Sequence, residues 1–297
     1  MLFRSAVQKG ARDFITKPWR NEKLLLSVDN ILSSRTGPDI DYAELEKNSD
    51  KALVGDSRTF VEMMATVKKV ASTGASILIR GENGTGKELV ATEIHRLSER
   101  NTKEMVTVDL GALAPTLLES ELFGHKKGAF TDASSDKEGK FKVANESTLF
   151  LDEIGNLPVV QQAKLLTALQ SGRITPVGSN EQIEIDIRLI TATNAPLDEM
   201  ISSGDFRQDL LYRINTIEIV VPPLRERSED IPLLLNHYLK IFKTKYKKRH
   251  LKIEKQAIDQ LQKYKWPGNV RELAQAVERA VILSDSSSLS LRDFQLK

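Results

Sequence analysis

Short apolar runs alternate with amphipathic helical stretches through the middle of the chain, from residue 51 to about residue 221. Four of these runs have the length and composition of buried strands: Ser76–Ile79, Met105–Val108, Thr148–Leu151 and Ile187–Ala192. Strands separated by helices are typical of a parallel sheet that is covered by helices on both faces. The pattern therefore predicts an α/β domain over residues 51–221.

The stretch from residue 222 to residue 297 has a different pattern, with helical periodicity and no convincing strand. Its clearest helix is predicted to begin at Asn269, directly after the turn Trp266-Pro267-Gly268. Asn269 can cap the helix, and Glu272 three residues later completes the pattern of a capping box. This stretch is predicted to be a small all-helical unit.

The first 50 residues divide into two parts. Residues 1–33 carry a short strand signal and an amphipathic helix at Asn21–Leu32, which is too little to fold alone. Residues 34–50 contain Gly37-Pro38 among many polar residues, which is typical of a linker.

Composition excludes several classes of protein. Lys and Arg total 43 against 41 Asp and Glu, a net charge of +2, whereas a broad nucleic-acid-binding face is usually more basic. The absence of Cys excludes disulfides, thiolate zinc sites and a cysteine nucleophile. No apolar run reaches the roughly 18 residues of a membrane span, and no signal peptide is visible, so we expect a cytoplasmic protein without membrane contact.

A glycine-rich loop lies between the first predicted strand and a helical stretch at Glu88–Leu97. Its sequence is Gly81-Glu82-Asn83-Gly84-Thr85-Gly86-Lys87. Such a loop aims backbone N–H groups and a helix N-terminus at a phosphate, and Lys87 is placed to reach the β- and γ-phosphates. Glu88 stands where the general motif has Ser or Thr to hold Mg²⁺. The sequence leaves open whether Glu88 binds the metal directly, binds it through water or lies aside.

Two acids, Asp152 and Glu153, follow the apolar strand Thr148–Leu151. The carboxyl end of a buried parallel strand faces the ligand crevice, so Asp152 is placed to bind Mg²⁺ and Glu153 to polarise the attacking water. Two acids after a strand also occur as the start of a solvated loop. Asn194 ends another strand and could sense the γ-phosphate, although an Asn at that position is commonly a turn residue.

The segment Glu121–Ala133 resembles the signature loop of sigma-54-dependent activators, which are AAA+ ATPases of the nitrogen-regulator type. The other motifs are similar in sequence and in order, and together they cover about Leu53 to Leu283. They are Gly81–Glu88, Leu149–Glu153, Thr191–Asn194, Gly204–Arg213, Pro222–Arg227 and Trp266–Leu273.

The resemblance implies an ATPase that uses ATP and Mg²⁺ and remodels sigma-54 RNA polymerase. It implies a homo-oligomeric ring, a hexamer or heptamer, with a dimer as a form at rest. Arg207 and Arg213 match arginine fingers that reach a neighbouring subunit's γ-phosphate. Arg271 matches a second sensor that reads the nucleotide in its own subunit, and Leu53-Val54-Gly55 matches the segment that packs on adenine.

The same resemblance assigns the contact with the sigma factor, beside promoter DNA, to one loop. Its residues are Gly128, Ala129, Phe130, Thr131, Asp132 and Ala133, with Phe130 as the apolar tip. Asp132 stands where the family usually has Gly, and we expect the contact to survive that change. Asp109 stands where the family usually has an Asn that restrains the catalytic glutamate, so we expect a weaker or differently built restraint on Glu153.

The ends of the chain carry further expectations. Gly10–Pro18 resembles the last strand of a response-regulator receiver, which assigns residues 1–33 to a receiver tail of two-component type that does not accept phosphate. We expect no enhancer-binding domain in this chain. Two other functions stay open: a nucleotide-dependent scaffold with little turnover, and another AAA+ remodeller such as a helicase loader.

Overall fold

The structure of the chain is a computed structural model, and it describes residues 52–131 and 133–296. The described residues form eleven strands. In chain order they are β1 (Ile77–Arg80), β2 (Val106–Asp109), β3 (Gly124–His125), β4 (Lys137–Glu138), β5 (Thr148–Asp152), β6 (Arg173–Ile174), β7 (Ile183–Glu184), β8 (Arg188–Thr193), β9 (Ile217–Val220), β10 (Lys252–Ile253) and β11 (Ser288–Leu289).

The α-helices separate these strands. They are Arg58–Ala71, Lys87–Arg96, Pro115–Phe123, Lys140–Val143, Val159–Ser171, Leu197–Ser203, Gln208–Ile214, Ile231–Lys245, Lys255–Leu261 and Asn269–Leu283. Short 3₁₀ helices lie at Ile154–Asn156, Leu224–Asp230 and Leu291–Phe294.

Five strands form one parallel sheet in the order β2-β5-β8-β1-β9. The strands alternate their side chains between two cores. Leu78, Leu149 and Leu151 belong to a cluster on one face, whereas Ile77, Ile79 and Phe150 belong to a cluster on the other. Burial on both faces explains why these strands read as continuous apolar runs. The predicted parallel α/β sheet is confirmed, each of the four predicted strands is present within one residue, and β9 at the edge was not predicted.

The lid is the helical part of the chain after β9. Its core is built around the fully buried Trp266, whose indole Nε1–H donates to the carbonyl of Leu261 at 2.9 Å. The helical nature of this part is confirmed. The expectation that it lacks strands is wrong in one detail, because the two-residue strands β10 and β11 pair in parallel.

Two antiparallel hairpins extend from the α/β domain. Strands β3 and β4 flank the loop around Phe130, and β6 and β7 form the second hairpin. A bridge between His125 and Val177 joins the two hairpins. The loop that carries Phe130 is therefore braced by a second element and does not extend alone.

Several expectations from the sequence fall on residues outside the described part of the chain. These are the receiver tail at 1–33, the linker at 34–50, and Asp132. Within residues 52–131 and 133–296, no helix combines the length and the apolar character needed to cross a membrane.

Candidate nucleotide site

The glycine-rich loop leaves the sheet at the carboxyl end of β1 and runs into the helix Lys87–Arg96. Gly84 and Gly86 have φ values of 78° and 102°, which residues with a side chain rarely adopt. Lys87 is only 7% exposed, and its ammonium donates to the carbonyl of Gly81 at 3.0 Å. The loop therefore has the strand-to-helix setting that a phosphate-binding loop requires.

The structure brings Glu153 and Asn194 to the same place. Glu153 directly follows β5 with a positive φ of 53°, an unusual conformation for a residue other than glycine. One Glu153 carboxylate oxygen lies 3.5 Å from the Lys87 ammonium, and the other accepts a hydrogen bond from the Asn194 backbone N–H at 3.3 Å. Neighbouring strands β5 and β8 thus place the Glu153 carboxylate and the Asn194 backbone N–H at one edge of the sheet, beside the loop.

Asp152 lies at the last position of β5, and its environment disfavours a negative charge. Burial is the main cause that raises the pKa of Asp152 above its ordinary value, and the charges of Glu153 and Asp109 raise it further. The backbone N–H of Glu153 at 2.9 Å and the charge of Lys87 act in the opposite direction. A cation bound at this carboxylate would relieve the repulsion among the acids.

Among the described residues, no hydrogen bond joins Asp109 to Glu153, so Asp109 does not restrain Glu153 in this way. Its Oδ1 accepts from the backbone N–H groups of Gly111 at 2.9 Å and Ala112 at 3.2 Å. A Cβ atom built on Gly111 would lie 3.3 Å from that oxygen and 3.9 Å from Glu153 Cβ. The two acids therefore flank Gly111, while Glu153 is held by Lys87 and Asn194.

The donor set suits Mg²⁺ only together with phosphate oxygens. Within the two described stretches, no cluster of three or more His, Cys, Asp or Glu side chains could hold a metal by itself. Mg²⁺ in nucleotide sites is usually bound by one or two carboxylates plus substrate phosphates and water. Asp152 meets this need, and Glu88 is an exposed acid in the first turn of the helix that follows the loop.

The lid contacts the glycine-rich loop directly. Arg225 donates to both carboxylate oxygens of Glu82, at 2.6 and 2.8 Å. The side-chain amide of Asn269 donates to Glu82 at 3.1 Å and to the carbonyl of Asn83 at 3.0 Å, and its oxygen accepts from the N–H of Leu224 at 2.8 Å. The sequence pointed to Pro222–Arg227 only as a motif, and it did not reveal the roles of Arg225 and Asn269.

The predicted capping box at Asn269 is wrong in part. The residue before the helix Asn269–Leu283 is Gly268, and no side chain caps it as Asn269 was expected to do. Glu272 does reach back, since its carboxylate accepts from the N–H of Gly268 at 2.8 Å. Asn269 instead has a left-handed φ of 54°, and its side-chain amide donates to the glycine-rich loop.

Arg271 lies beside the loop, as its predicted sensor role needs. Its backbone N–H donates to the carbonyl of Gly84 at 3.2 Å, and its side chain is exposed. Val54 packs against the lid core, and a Cβ on Gly55 would lie 2.8 Å from the Asp230 carboxylate.

Asp230 was not singled out from the sequence. It is fully buried and accepts from the N–H groups of Asp56 and Ser57 and from the Ser57 hydroxyl, at 2.7 to 2.8 Å. It therefore ties the predicted adenine-binding segment to the start of the lid.

The two predicted arginine fingers lie elsewhere in this chain. Arg207 forms a two-point ion pair with Asp209 at 2.6 and 3.0 Å, and Arg213 donates to the carbonyl of Leu169 at 2.6 Å. Both residues are exposed. Among the described residues, the structure therefore places neither arginine in contact with Lys87 or Glu153 of its own chain.

The loop of Gly128–Ala133 is folded on itself. Gly128 N–H donates to the carbonyl of Ala133 at 2.8 Å, and Ala133 N–H donates to the carbonyl of Phe130 at 3.0 Å. Phe130 is 39% exposed, with its ring edge-on to the His125 ring at 4.9 Å. Thr131 is exposed, Ala133 is buried, and Ala129 packs against the second hairpin at Gly178.

Comparison with known proteins agrees with this geometry. A family model described as the Sigma-54 interaction domain matches residues 53–220, and one described as the AAA+ ATPase lid domain matches residues 225–297. The chain is 43% identical over 293 residues to the transcriptional regulatory protein ZraR of Salmonella typhimurium. That match covers 98% of this chain and 66% of ZraR. It is also 41% identical over 292 residues to the regulatory protein AtoC of Escherichia coli, which covers 97% of this chain and 63% of AtoC.

Among solved structures, NtrX from Brucella abortus in complex with ADP is similar with a TM-score of 0.79 and 33% identity. The match covers 98% of this chain and 66% of NtrX. The chain thus spans slightly less than two thirds of the length of these relatives. Its domain matches, its relatives and its fold agree with one another. The chain belongs to the family of proteins with a Sigma-54 interaction domain, which is followed here by an AAA+ ATPase lid domain.

Proposed function

We propose that the chain hydrolyses ATP and uses the energy to remodel sigma-54 RNA polymerase, so that promoter DNA opens. One observation carries this proposal. The same domain contains a glycine-rich loop whose Lys87 pairs with Glu153, and a second loop that exposes Phe130. The second loop is braced by the bridge between His125 and Val177. The relative NtrX has been solved with ADP and with ATP, which supports a nucleotide at the equivalent loop.

In this proposal the phosphate loop and Lys87 bind the β- and γ-phosphates of ATP. Glu153 accepts a proton from the attacking water, a step that needs its carboxylate free of the Lys87 ammonium. A γ-phosphate between the two side chains would separate them, because the phosphate offers Lys87 a stronger anionic partner. Asp152, and Glu88 as a second candidate, would hold Mg²⁺, which would neutralise charge on the phosphate oxygens.

Arg207 and Arg213 complete the site of the adjacent subunit in a ring. Their guanidinium groups would neutralise charge that develops on the γ-phosphate during transfer. In this proposal the site of one chain is incomplete without a second copy. The exposure of both arginines supports this arrangement, as do their contacts with Asp209 and Leu169, away from their own Lys87.

The nucleotide state is read by Asn194 and Arg271 and passed to the Phe130 loop, which contacts the sigma factor near promoter DNA. A ligand shifts a loop only when it makes different contacts in the two loop positions. The hydrogen bond from the Asn194 N–H to the Glu153 carboxylate supports this role, because that carboxylate must turn toward water for hydrolysis in the proposed mechanism.

The proposal is tested by open-complex formation on a supercoiled sigma-54 promoter, with ATP, sigma-54 polymerase and high protein concentration. Lys87→Ala is the control. We expect open complexes with the parent chain and none with Lys87→Ala. ATP hydrolysis without promoter opening would contradict the coupling to sigma-54 and favour another AAA+ remodeller. Nucleotide binding without hydrolysis would favour a scaffold.

A further inference from the structure

Three successive residues of the phosphate loop accept hydrogen bonds from the lid. The Glu82 carboxylate accepts from Arg225 and Asn269, the Asn83 carbonyl accepts from Asn269, and the Gly84 carbonyl accepts from the Arg271 N–H. We call Glu82, Arg225 and Asn269 the lid clasp. The clasp links parts of the chain that are more than 140 residues apart. The lid therefore sets the position of this side of the loop.

The chemistry of the clasp favours one geometry. A guanidinium that donates to both oxygens of a carboxylate holds it in plane as well as at a set distance, which a lysine cannot do. The hydrogen bonds from Arg225 and Asn269 lower the pKa of Glu82 to about 2. Glu82 thus stays charged throughout the pH range in which the protein would work.

The clasp also orients the backbone of the loop. In a trans peptide the C=O of one residue and the N–H of the next point in opposite directions. With the Asn83 carbonyl held by Asn269, the Gly84 N–H is directed away from the lid side chain. Gly84 lies so close to the lid that a Cβ atom there would be 2.3 Å from the carbonyl oxygen of Gly268. This close approach of the two backbones makes the shape of the loop depend on the position of the lid.

We propose that the lid clasp couples lid position to nucleotide affinity. When it is closed, the lid holds the phosphate loop in the shape that binds phosphates. When it is broken, nucleotide binding weakens far more than hydrolysis slows. Glu82 and Arg225 are positioning residues in this scheme, because they act through the loop backbone. The inference rests on the proposed ATP site.

The alternative to this coupling is that the Glu82–Arg225 ion pair only stabilises the fold. Both side chains are 43% exposed, and exposed ion pairs contribute little to folding stability. The chain offers a matched comparison on the outside of the helix Lys87–Arg96. There Arg96 donates to both oxygens of Glu93, each at 2.7 Å, and both residues belong to that one helix. This pair has the same two-point Arg–Glu hydrogen bonding as the clasp, but it does not join the lid to the phosphate loop.

The test measures the Kd of ADP by calorimetry, and kcat and KM for ATP, in the parent, Glu82→Gln, Arg225→Met and the double variant. We expect each single variant to raise the ADP Kd and the ATP KM about ten-fold, within the usual range for coupling between two sites. The kcat at saturating ATP should stay close to that of the parent. Since one contact is lost in all three, the double variant should bind ADP no more weakly than the singles.

Glu93→Gln and Arg96→Met are the controls, and they should bind ADP as the parent does. Asn269 is left unchanged, because its left-handed backbone and buried side chain also support the fold. Parent-like ADP binding by both clasp variants overturns the coupling. The coupling is also overturned if the increase in ADP Kd in the double variant equals the product of the increases in the two single variants, or if kcat falls as much as KM rises. ADP binding without ATP hydrolysis by the parent would defeat the proposed ATPase, and the ADP Kd would still decide the role of the clasp.

Discussion

Lys87 and Glu153 form an ion pair across the candidate nucleotide site, with 3.5 Å between the ammonium nitrogen and the carboxylate oxygen. Lys87 begins the helix that follows β1 and the glycine-rich loop. Glu153 directly follows β5, which is two strands away from β1 in the sheet. The residue expected to bind phosphate and the residue expected to activate water thus hold each other. In the proposed mechanism, nucleotide would separate the two side chains before either acts, so the presence or absence of this ion pair would report whether the site is occupied.

Glu153→Gln tests the role of that carboxylate. The amide keeps the shape of the side chain but cannot accept a proton from water. We expect kcat for ATP hydrolysis to fall about 10²–10⁴-fold, the usual contribution of a general base, while ADP still binds. Steady-state hydrolysis and calorimetry measure the two quantities. Glu99→Gln, an exposed acid outside the site, is the control. A kcat within a few-fold of the parent would remove Glu153 from the reaction.

Asp109→Asn tests whether the acid beside the site alters its charge balance. The charge of Asp109 is one of the causes that raise the pKa of Asp152 above its ordinary value. Removing that charge should lower the pKa of Asp152, so nucleotide binding with Mg²⁺ should persist to lower pH. Because an amide could also donate to Glu153, we expect a lower basal ATPase rate. Identical basal rates and identical pH profiles would show that Asp109 has neither effect.

Gly84→Ala tests the contact between the phosphate loop and the lid. Gly84 has a φ of 78°, and an added Cβ atom would meet the backbone oxygen of Gly268 at 2.3 Å. Left-handed backbone costs a residue with a side chain about 1–2 kcal/mol, and the clash adds to that cost. We expect ADP affinity to fall about ten-fold or more, since about 1.4 kcal/mol corresponds to a factor of ten. Gly74→Ala, where a Cβ would meet nothing within 4 Å, should leave ADP affinity unchanged.

Phe130→Ala tests whether promoter opening can be lost while ATP hydrolysis is kept. Phe130 is 39% exposed, and its ring packs edge-on to His125, which is outside the nucleotide site, so its loss should leave that site intact. We expect ATP hydrolysis to continue at the parent rate while open complexes are lost. Leu117→Ala, an exposed apolar residue on the helix Pro115–Phe123, is the control and should still open the promoter. Retained promoter opening by Phe130→Ala would place the sigma-factor contact elsewhere.

His95 provides a prediction about stability. It is buried, with its ring nitrogens 2.9 Å from the Thr148 hydroxyl and the Lys103 carbonyl, and burial lowers its pKa below the ordinary value of 6.5. The folded chain therefore binds fewer protons than the unfolded chain near and below pH 6.5. This contribution to the free energy of unfolding is fully present above that pH and is lost as the pH falls through the folded pKa.

Urea unfolding of the parent and of His95→Gln at a series of pH values between 8 and 5 measures this effect. The variant should be less stable at high pH, because it loses part of the hydrogen bonding of the ring. The stability difference between the two proteins should shrink as the pH falls. A difference that stays constant with pH would mean that His95 does not titrate with unfolding.

The sequence by itself determined four of the five strands of the parallel sheet and the helical nature of the lid. Apolar runs separated by helical stretches predicted the parallel sheet, because strands buried on both faces must be apolar along their whole length. The loop Gly81–Lys87 and the acids Asp152 and Glu153 could be identified because local spacing after a strand is enough to place them at the carboxyl edge of the sheet. The signature around Phe130 identified the family for the same reason, since it is a continuous segment.

Only the tertiary structure decided how distant segments meet. No local pattern at Arg225, Asn269 or Asp230 indicates the contacts that their side chains make. Their partners Glu82, Asn83 and Ser57 lie more than 140 residues away, and contacts at that separation depend on how the lid packs against the sheet. Asn269 shows the limit most clearly. Its position at the start of a helix predicted a cap, whereas the approach of the phosphate loop offered its amide better partners.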